Sequence, residues 1–369
     1  MTGADSLTEP YDAFLLVSFG GPEAPEDVVP FLENVTRGRG IPPERLEEVA
    51  GHYHAFGGRS PINDQNRALL AAVEAELYRG GATVPVYWGN RNWHPYLADA
   101  LARMRDDGIG RAASFVTSAY SSYSGCRQYR EDLATAVSKV GPGAPRIDRI
   151  RHYFDHPGFV AANVAGVTEA MATLPPDVTA RARLVYVTHS IPTAMAETSG
   201  PDGGAYQAQH RAAAAAVTAG VAERTGVRPE ADLVYCSRSG SPQVPWLEPD
   251  VNDHLEQLVA EGVPAVVLAP IGFISDHMEV VFDLDTEAMD TARRLGLPAA
   301  RAASAGTHPA FVAAVRDLFV ERAAVERGER PAQASVGPPG PSHYVCPAGC
   351  CPNPRGPRPA LCGLDSVTG

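Results

Sequence analysis

Short apolar runs recur along the chain at 13–18, 84–88, 113–117, 183–188, 232–236 and 265–269, with weaker ones at 146–152 and 298–302. Their length and their enrichment in Val, Leu and Ala fit strands buried on both faces. Longer stretches lie between them at 66–78, 95–104, 130–137, 157–173, 205–224, 250–261 and 309–327, and these read as helices. Regular strand–helix alternation predicts parallel sheets covered by helices. Four strands precede the stretch 155–180 and four follow it, so two similar α/β halves are expected, although no sequence repeat links them. After residue 327 the rhythm stops. A Gly/Pro/Ser segment at 334–341 leads into a Cys- and Pro-rich tail. The expected division is therefore 1–160, 161–333 and 334–369.

Two of the strand ends carry chemistry. The run 183–188 ends in Thr188-His189-Ser190-Ile191-Pro192, and the run 265–269 leads to Asp276-His277-Met278-Glu279 and onward to Glu287. In open α/β sheets ligands bind just beyond the carboxyl ends of the strands. The acidic stretch predicts a helix capped by Asp276. Glu279, Asp283 and Glu287 are spaced i, i+4, i+8 and advance about 40° at each step, forming one file on an α-helix. Like charges in file weaken a helix unless a cation compensates; the alternative is a solvated acidic face. An imidazole beside carboxylates suits a divalent first-row metal such as Fe²⁺.

Other strand ends border the same region. Phe19-Gly20-Gly21-Pro22 is not G-x-G-x-x-G, and Pro22 lacks an amide donor, so a backbone turn at a pocket fits better than a nucleotide site. The aromatic stretch 52–63 suits one wall of a flat apolar site, with Ser60 as a polar contact or as a helix cap. In Trp88-Gly89-Asn90-Arg91-Asn92-Trp93-His94-Pro95-Tyr96, Arg91 could meet a ligand carboxylate, or the block could be core. The segment 119–130 mixes Tyr, Ser, Arg127 and Arg130. It suits a large ligand with acidic substituents, or an ordinary polar loop.

Composition narrows the class. Hydrophobic residues make up 44% of the 369 and charged residues 20%, as in soluble globular proteins. A net charge of −12 argues against a nucleic-acid partner. No apolar run is long enough for a membrane span, and residues 1–10 have no apolar core of a secretory signal, so a cytoplasmic location is expected. Three of the six cysteines, Cys346, Cys350 and Cys351, crowd into the tail. Reduced thiols so placed point to a metal, either Zn²⁺ or an iron–sulfur cluster. Cys126, Cys236 and Cys362 are the candidates for a fourth ligand.

Together the Phe19–Pro22 turn, the stretch 53–63 with Gly57-Gly58 and Ser60-Pro61, the His189-Ser190-Ile191-Pro192 block and Asp276-His277-Met278-Glu279-Val280 resemble the ferrochelatase family. The likeness runs from about residue 11 to 327, in the family's order. It implies two Rossmann-like, chelatase-type domains, each a parallel sheet flanked by helices, with a porphyrin cleft between them. It assigns His189 and Glu279 to Fe²⁺ binding and chemistry, Ser60 and Tyr129 to porphyrin contact, and Asp283 and Glu287 to a metal or proton route. The tail and Ser124-Gly125-Cys126-Arg127 resemble the bacterial members that carry a [2Fe–2S] cluster, which makes Cys126 the fourth ligand beside Cys346, Cys350 and Cys351. The 88–95 block resembles the actinobacterial group of the coproporphyrin-dependent haem pathway. Coproporphyrin III is then the implied substrate, with protoporphyrin IX its rival, and a monomer is expected. Phe19, Asn92 and Thr36 depart from relatives that carry Tyr, His and Arg there. A non-catalytic tetrapyrrole carrier and a cobalt or nickel chelatase are the readings from other classes.

Overall fold

A computed structural model describes residues 7–38, 40, 42–239 and 243–365. Strands β1 (Ala13–Ser18), β2 (Val86–Asn90), β3 (Arg111–Val116) and β4 (Arg146–Arg149) form one sheet in the order β2-β1-β3-β4. Strands β5 (Arg183–His189), β6 (Ala231–Cys236), β7 (Val266–Ala269) and β8 (Ala299–Arg301) form a second in the order β6-β5-β7-β8. Every pairing is parallel. Leu15 stands in register with Tyr87 on one side and Ser114 on the other, and Val185 with Asp232 and Leu268. All carboxyl ends of a sheet therefore share one edge. The strand order reverses between β1 and β3 and between β5 and β7, which are the positions where such sheets open a crevice.

Central strands are covered on both faces, which is why they read as unbroken apolar runs: every residue of β1 is buried. Phe14, Phe115, Phe311 and Phe319 belong to the same core cluster as Leu184, Tyr186 and Val267, so one core joins the two sheets. Separate clusters cover the other face of each sheet. The helix Pro157–Met171 packs on β7 and β8, while the helix Pro309–Glu326 packs back on the helix Ile62–Arg79 and on β3. Residue 160 lies inside the first of these helices, whose Phe159 and Val164 belong to the core that joins both sheets.

The helices Val28–Thr36 and Pro43–Ala55 have no counterpart in the sequence reading. In the second only Ala50 and Tyr53 are buried, leaving no apolar stripe to read. The helix expected from residue 66 begins at Ile62, because buried Asn63 and Asn66 interrupt the apolar period. Asn63 earns its burial by donating to Gly21 O at 3.1 Å.

The tail is docked on the first half. Val336 N–H donates to Asp155 O at 2.9 Å, Leu361 N–H to Arg130 O at 3.1 Å, and Arg130 Nη2 to Asp365 Oδ1 at 2.8 Å. Arg127 also pairs with Asp365. These two arginines thus hold the tail in place of the ligand acid groups expected for them. Among the described residues no helix is long and apolar enough to cross a membrane.

Candidate active site

His189 is the last residue of β5, at the point where the strand order reverses. Its Nδ1 lies against Ser190 O. A carbonyl only accepts, so Nδ1 carries the proton and Nε2 presents its lone pair in the neutral ring. Nε2 faces Glu279 Oε2 at 3.5 Å, and His277 Nδ1 approaches the same oxygen at 3.8 Å. The backbone of His189 is fixed by Tyr206 Oη, which donates to its carbonyl at 2.8 Å. The loop after β7 packs so closely on β5 that a Cβ on Gly272 would collide with the Thr188 side chain. Glycine at this position lets the segment carrying Glu279 reach His189.

The acidic stretch departs from the expected α-helix. Asp276 does not cap it. Its carboxylate meets Arg301 Nη2 at 2.8 Å, and its N–H donates to Gln65 Oε1 at 2.7 Å. His277 takes the cap position, one turn of α-helix spans Met278–Val280, and a π-helix runs through Val281–Ala288. Such wide turns are rare and often mark functional sites. Arg301 also reaches Asp285 Oδ1 at 3.0 Å, so it neutralises the other side of the stretch and not the Glu279–Asp283–Glu287 set.

Those three carboxylates still act on one another. Burial, with Glu279 and Glu287 adding, pushes the Asp283 carboxyl up to about 7, against the opposing Ser237 hydroxyl and His189. Ser237 Oγ donates to Asp283 Oδ2 from a left-handed backbone at φ 60°. Burial also raises Glu287, against the pull of His52. For His189 burial favours the neutral ring, but the Glu279 carboxylate outweighs it, and the net shift is upward. His277 goes down through burial. Glu279 and Asp283 are half-buried and Glu287 is exposed, so the set leads from His189 to solvent.

An aromatic wall stands beside it. Phe31, Tyr53 and Met278 form a cluster, with Phe19 and Trp93 packed against it, and His52 stacks on Phe282 at 3.7 Å. Ser60 is buried at the Phe19–Pro22 turn, where a Cβ on Gly21 would come within 2.7 Å of Ser60 Cβ. Pro61 occupies the cap position of the following helix, so Ser60 does not cap it. Tyr129 is buried with Leu133 and Ala136 under the Arg91 guanidinium, 4.5 Å from its ring. Arg91 meets Asp132 Oδ2 at 2.8 Å, so its carboxylate partner is internal.

A second centre is built from thiols. Cys126 sits in a π-turn, Tyr123–Arg127, held by Gly125 N–H donating to Ser122 Oγ at 2.8 Å. Cys126, Cys346, Cys350 and Cys351 are all buried and form a cluster of their own. The Cys126 and Cys346 sulfurs are 3.9 Å apart, and those of Cys350 and Cys351 are 3.8 Å apart. Ligands on one tetrahedral metal with metal–sulfur bonds of about 2.3 Å stand about 3.7 Å apart, so the spacing fits metal ligation. A left-handed backbone at Cys351, φ 53°, turns two consecutive thiols to one centre. His343 offers a nitrogen within 4.8 Å of the Cys346 and Cys350 sulfurs. Cys236 ends β6, and Cys362 Sγ lies against Ile147 O; neither belongs to the cluster.

Residues 11–323 match the ferrochelatase family profile. The chain belongs to the ferrochelatase family. It is 59% identical over 365 residues to a protein of Streptomyces griseus subsp. griseus named coproporphyrin III ferrochelatase, with 97% of each chain covered. A protein of the same name from Frankia alni is 53% identical over 346 residues, covering 93% of this chain and 87% of the relative. Among solved structures, the sirohydrochlorin chelatase of Bacillus subtilis subspecies spizizenii in complex with cobalt is 14% identical, with a TM-score of 0.49, and the alignment covers 88% of this chain and 99% of that one.

Of the residues expected in this ferrochelatase's site, the fold brings His189, Glu279 and Asp283 together, with Glu287 at the outer end. It holds Ser60 and Tyr129 in separate packed surroundings. Sequence reasoning marked the stretch 52–63, with His52 and Tyr53, as one wall of a flat site, but gave no role to His277 or Ser237. His277 lay inside the acidic block already singled out. Ser237 carried no signal, because only the turn after β6 aims it at Asp283.

Proposed function

We propose that the enzyme inserts Fe²⁺ into coproporphyrin III, giving iron coproporphyrin III and two protons. The carrying observation is His189 Nε2 facing Glu279 Oε2 at a strand-order reversal, in a chain whose relatives bear that substrate in their names. A free-base porphyrin holds two N–H protons where the metal must go. His189 Nε2 accepts one of them through its lone pair. Glu279 offers an anionic oxygen to Fe²⁺, the substrate metal, or takes the second proton. Asp283, whose carboxyl titrates near neutrality, can hold a proton and release it towards exposed Glu287. Ser60, buried at the Phe19–Pro22 turn, and Tyr129, buried beneath Arg91, act in this reading from behind the surface that meets the porphyrin. A monomer in the cytoplasm completes the reading.

The thiol centre, with Cys126, Cys346, Cys350 and Cys351 as ligands, holds a [2Fe–2S] cluster in this reading. Four buried thiols at ligand spacing and an adjacent guanidinium support it. When bound it supplies a one-electron couple and a cross-link between the tail and Cys126. No step of metal insertion runs through it.

The decisive test is anaerobic Fe²⁺ insertion by the purified protein, comparing coproporphyrin III with protoporphyrin IX by absorbance. Preference for coproporphyrin III is the expected result. Preference for protoporphyrin IX would keep the enzyme class and overturn the substrate. Porphyrin binding without insertion into either would favour a carrier.

A further inference from the structure

Arg127, Arg130, Arg149, Arg151 and Arg322 are all buried. Four of them face a carboxylate: Arg127 meets Glu131 at 3.2 Å, Arg130 meets Asp365 at 2.8 Å, and Arg151 and Arg322 meet Glu321 and Glu326 at 2.6 Å each. Among the described residues Arg149 has no such partner. Its Nη1 donates to Cys126 Sγ at 2.8 Å and its Nη2 to His343 O at 3.3 Å, while its Nε is buried with no hydrogen-bond acceptor. The neighbouring ring gives no negative charge either. His152 Nε2 lies 3.4 Å from Arg149 Nη1, and its Nδ1 lies 3.1 Å from Ser121 Oγ. Burial and the guanidinium keep that imidazole neutral.

A guanidinium does not lose its proton in a protein, and a buried charge without a counter-charge is strongly unfavourable. The remaining anionic candidates around Arg149 are the thiols. Cys126 Sγ accepts directly from Arg149 Nη1, and the Cys346 sulfur stands 3.9 Å from that of Cys126. We propose that Arg149 is the fixed counter-charge of the thiol centre and sets the reduction potential of the cluster held there. This rests on the [2Fe–2S] reading above. Reduction adds one electron from a low-potential donor, with no bond made or broken, and raises the negative charge of cluster plus thiolates by one. A fixed cation in hydrogen-bond contact with a ligand sulfur favours the more negative state and raises the potential. Arg149 is thus a positioning residue of the cluster.

The test uses full-length protein purified anaerobically, with Arg149→Met and Arg149→Lys beside wild type. Iron and acid-labile sulfide are measured first. The couple is then titrated with dye mediators and followed by the electron paramagnetic resonance of the reduced state. Arg149→Met is expected to move the midpoint to more negative values by at least a tenfold change in the reduction equilibrium, about 59 mV for one electron. Arg149→Lys is expected to move it less. Equal potentials in wild type and Arg149→Met overturn the assignment. Loss of the cluster from Met but not Lys supports it, since only charge is retained in the second. Loss from both overturns it, because shape and not charge is then what the centre requires. Wild-type protein without sulfide overturns the cluster reading itself, a result read before either variant is made.

Discussion

His189 Nε2 stands 3.5 Å from Glu279 Oε2, one residue at the end of β5 and the other past the end of neighbouring β7. The pair places a nitrogen lone pair and an anionic oxygen at one point, as removal of pyrrole protons and delivery of a cation require. His189→Ala is expected to lower kcat for Fe²⁺ insertion by about 10²–10⁴-fold, the usual worth of a positioned general base. Glu279→Gln is expected to lower kcat and raise the KM for Fe²⁺ with little change for porphyrin. Steady-state insertion kinetics with each substrate varied would check both, and wild-type rates in His189→Ala would remove it from the chemistry.

Asp283 and His189 both keep their protons to higher pH than free side chains. Their acceptor forms therefore appear as pH rises, Asp283 through about 7. The insertion rate is expected to climb through this range, and Asp283→Asn to lower the rate and flatten the climb. A stability change accompanies it. The raised folded pKa means that protonated Asp283 stabilises the fold at pH 3 and below, and this contribution is lost as pH rises towards about 7. Asp283→Asn should then gain on wild type at pH 8 by on the order of 2 kcal/mol after allowance for screening. Thermal melts of both proteins at pH 5 and pH 8 measure the difference.

Arg301 ties Asp276, just before Glu279, to Asp285 within the π-helix. Removing it leaves two partly buried carboxylates without their cation. Arg301→Ala is expected to destabilise the fold by about 2–4 kcal/mol and to lower kcat/KM for Fe²⁺ more than for porphyrin. Denaturant unfolding and metal-varied kinetics read the two effects, and an unchanged Fe²⁺ dependence would limit Arg301 to stability.

Gly272 lies where any Cβ meets the Thr188 side chain. Gly272→Ala is expected to cost about 1–3 kcal/mol through overpacking. It should also push the Glu279 segment away from His189 and cut insertion. Thr188→Ala in the same chain removes only the Oγ1 contact and leaves the Thr188 Cβ and Cα at 2.7 and 2.9 Å, so the double variant is expected to stay impaired in melts and in rate.

The tail joins the first half at Cys126, and its Cys351 sulfur accepts from Gly200 N–H at 3.1 Å in the segment that follows His189. Cys350→Ser is expected to remove the visible iron–sulfur absorption and lower the Tm, while Cys362→Ser leaves the absorption unchanged. Full absorption in Cys350→Ser would exclude it as a ligand.

The legible parts of this protein were those whose chemistry is local. Buried strands announced themselves because both faces of β1 and β5 are covered, and the crowding of Cys346, Cys350 and Cys351 announced a metal. The Pro43–Ala55 helix was hidden because it buries only Ala50 and Tyr53, although it carries His52 and Tyr53 to the site. Arg91, Arg127 and Arg130 looked free to meet ligand carboxylates, since nothing in sequence shows that Asp132 and Asp365 already occupy them.

The sequence by itself determined the strand–helix alternation, the two strand ends that carry His189 and Glu279, and the family to which they belong, because apolar period and motif order need no partner. Only the tertiary structure decided which cation answers which acid, that the acidic stretch winds as a π-helix from a His277 cap, that Ser237 reaches Asp283, and that Arg149 meets a thiol and, among the described residues, no carboxylate. Each of these depends on contacts between residues far apart in the chain. Their energies arise from burial and through-space charge, and neither is written in local spacing.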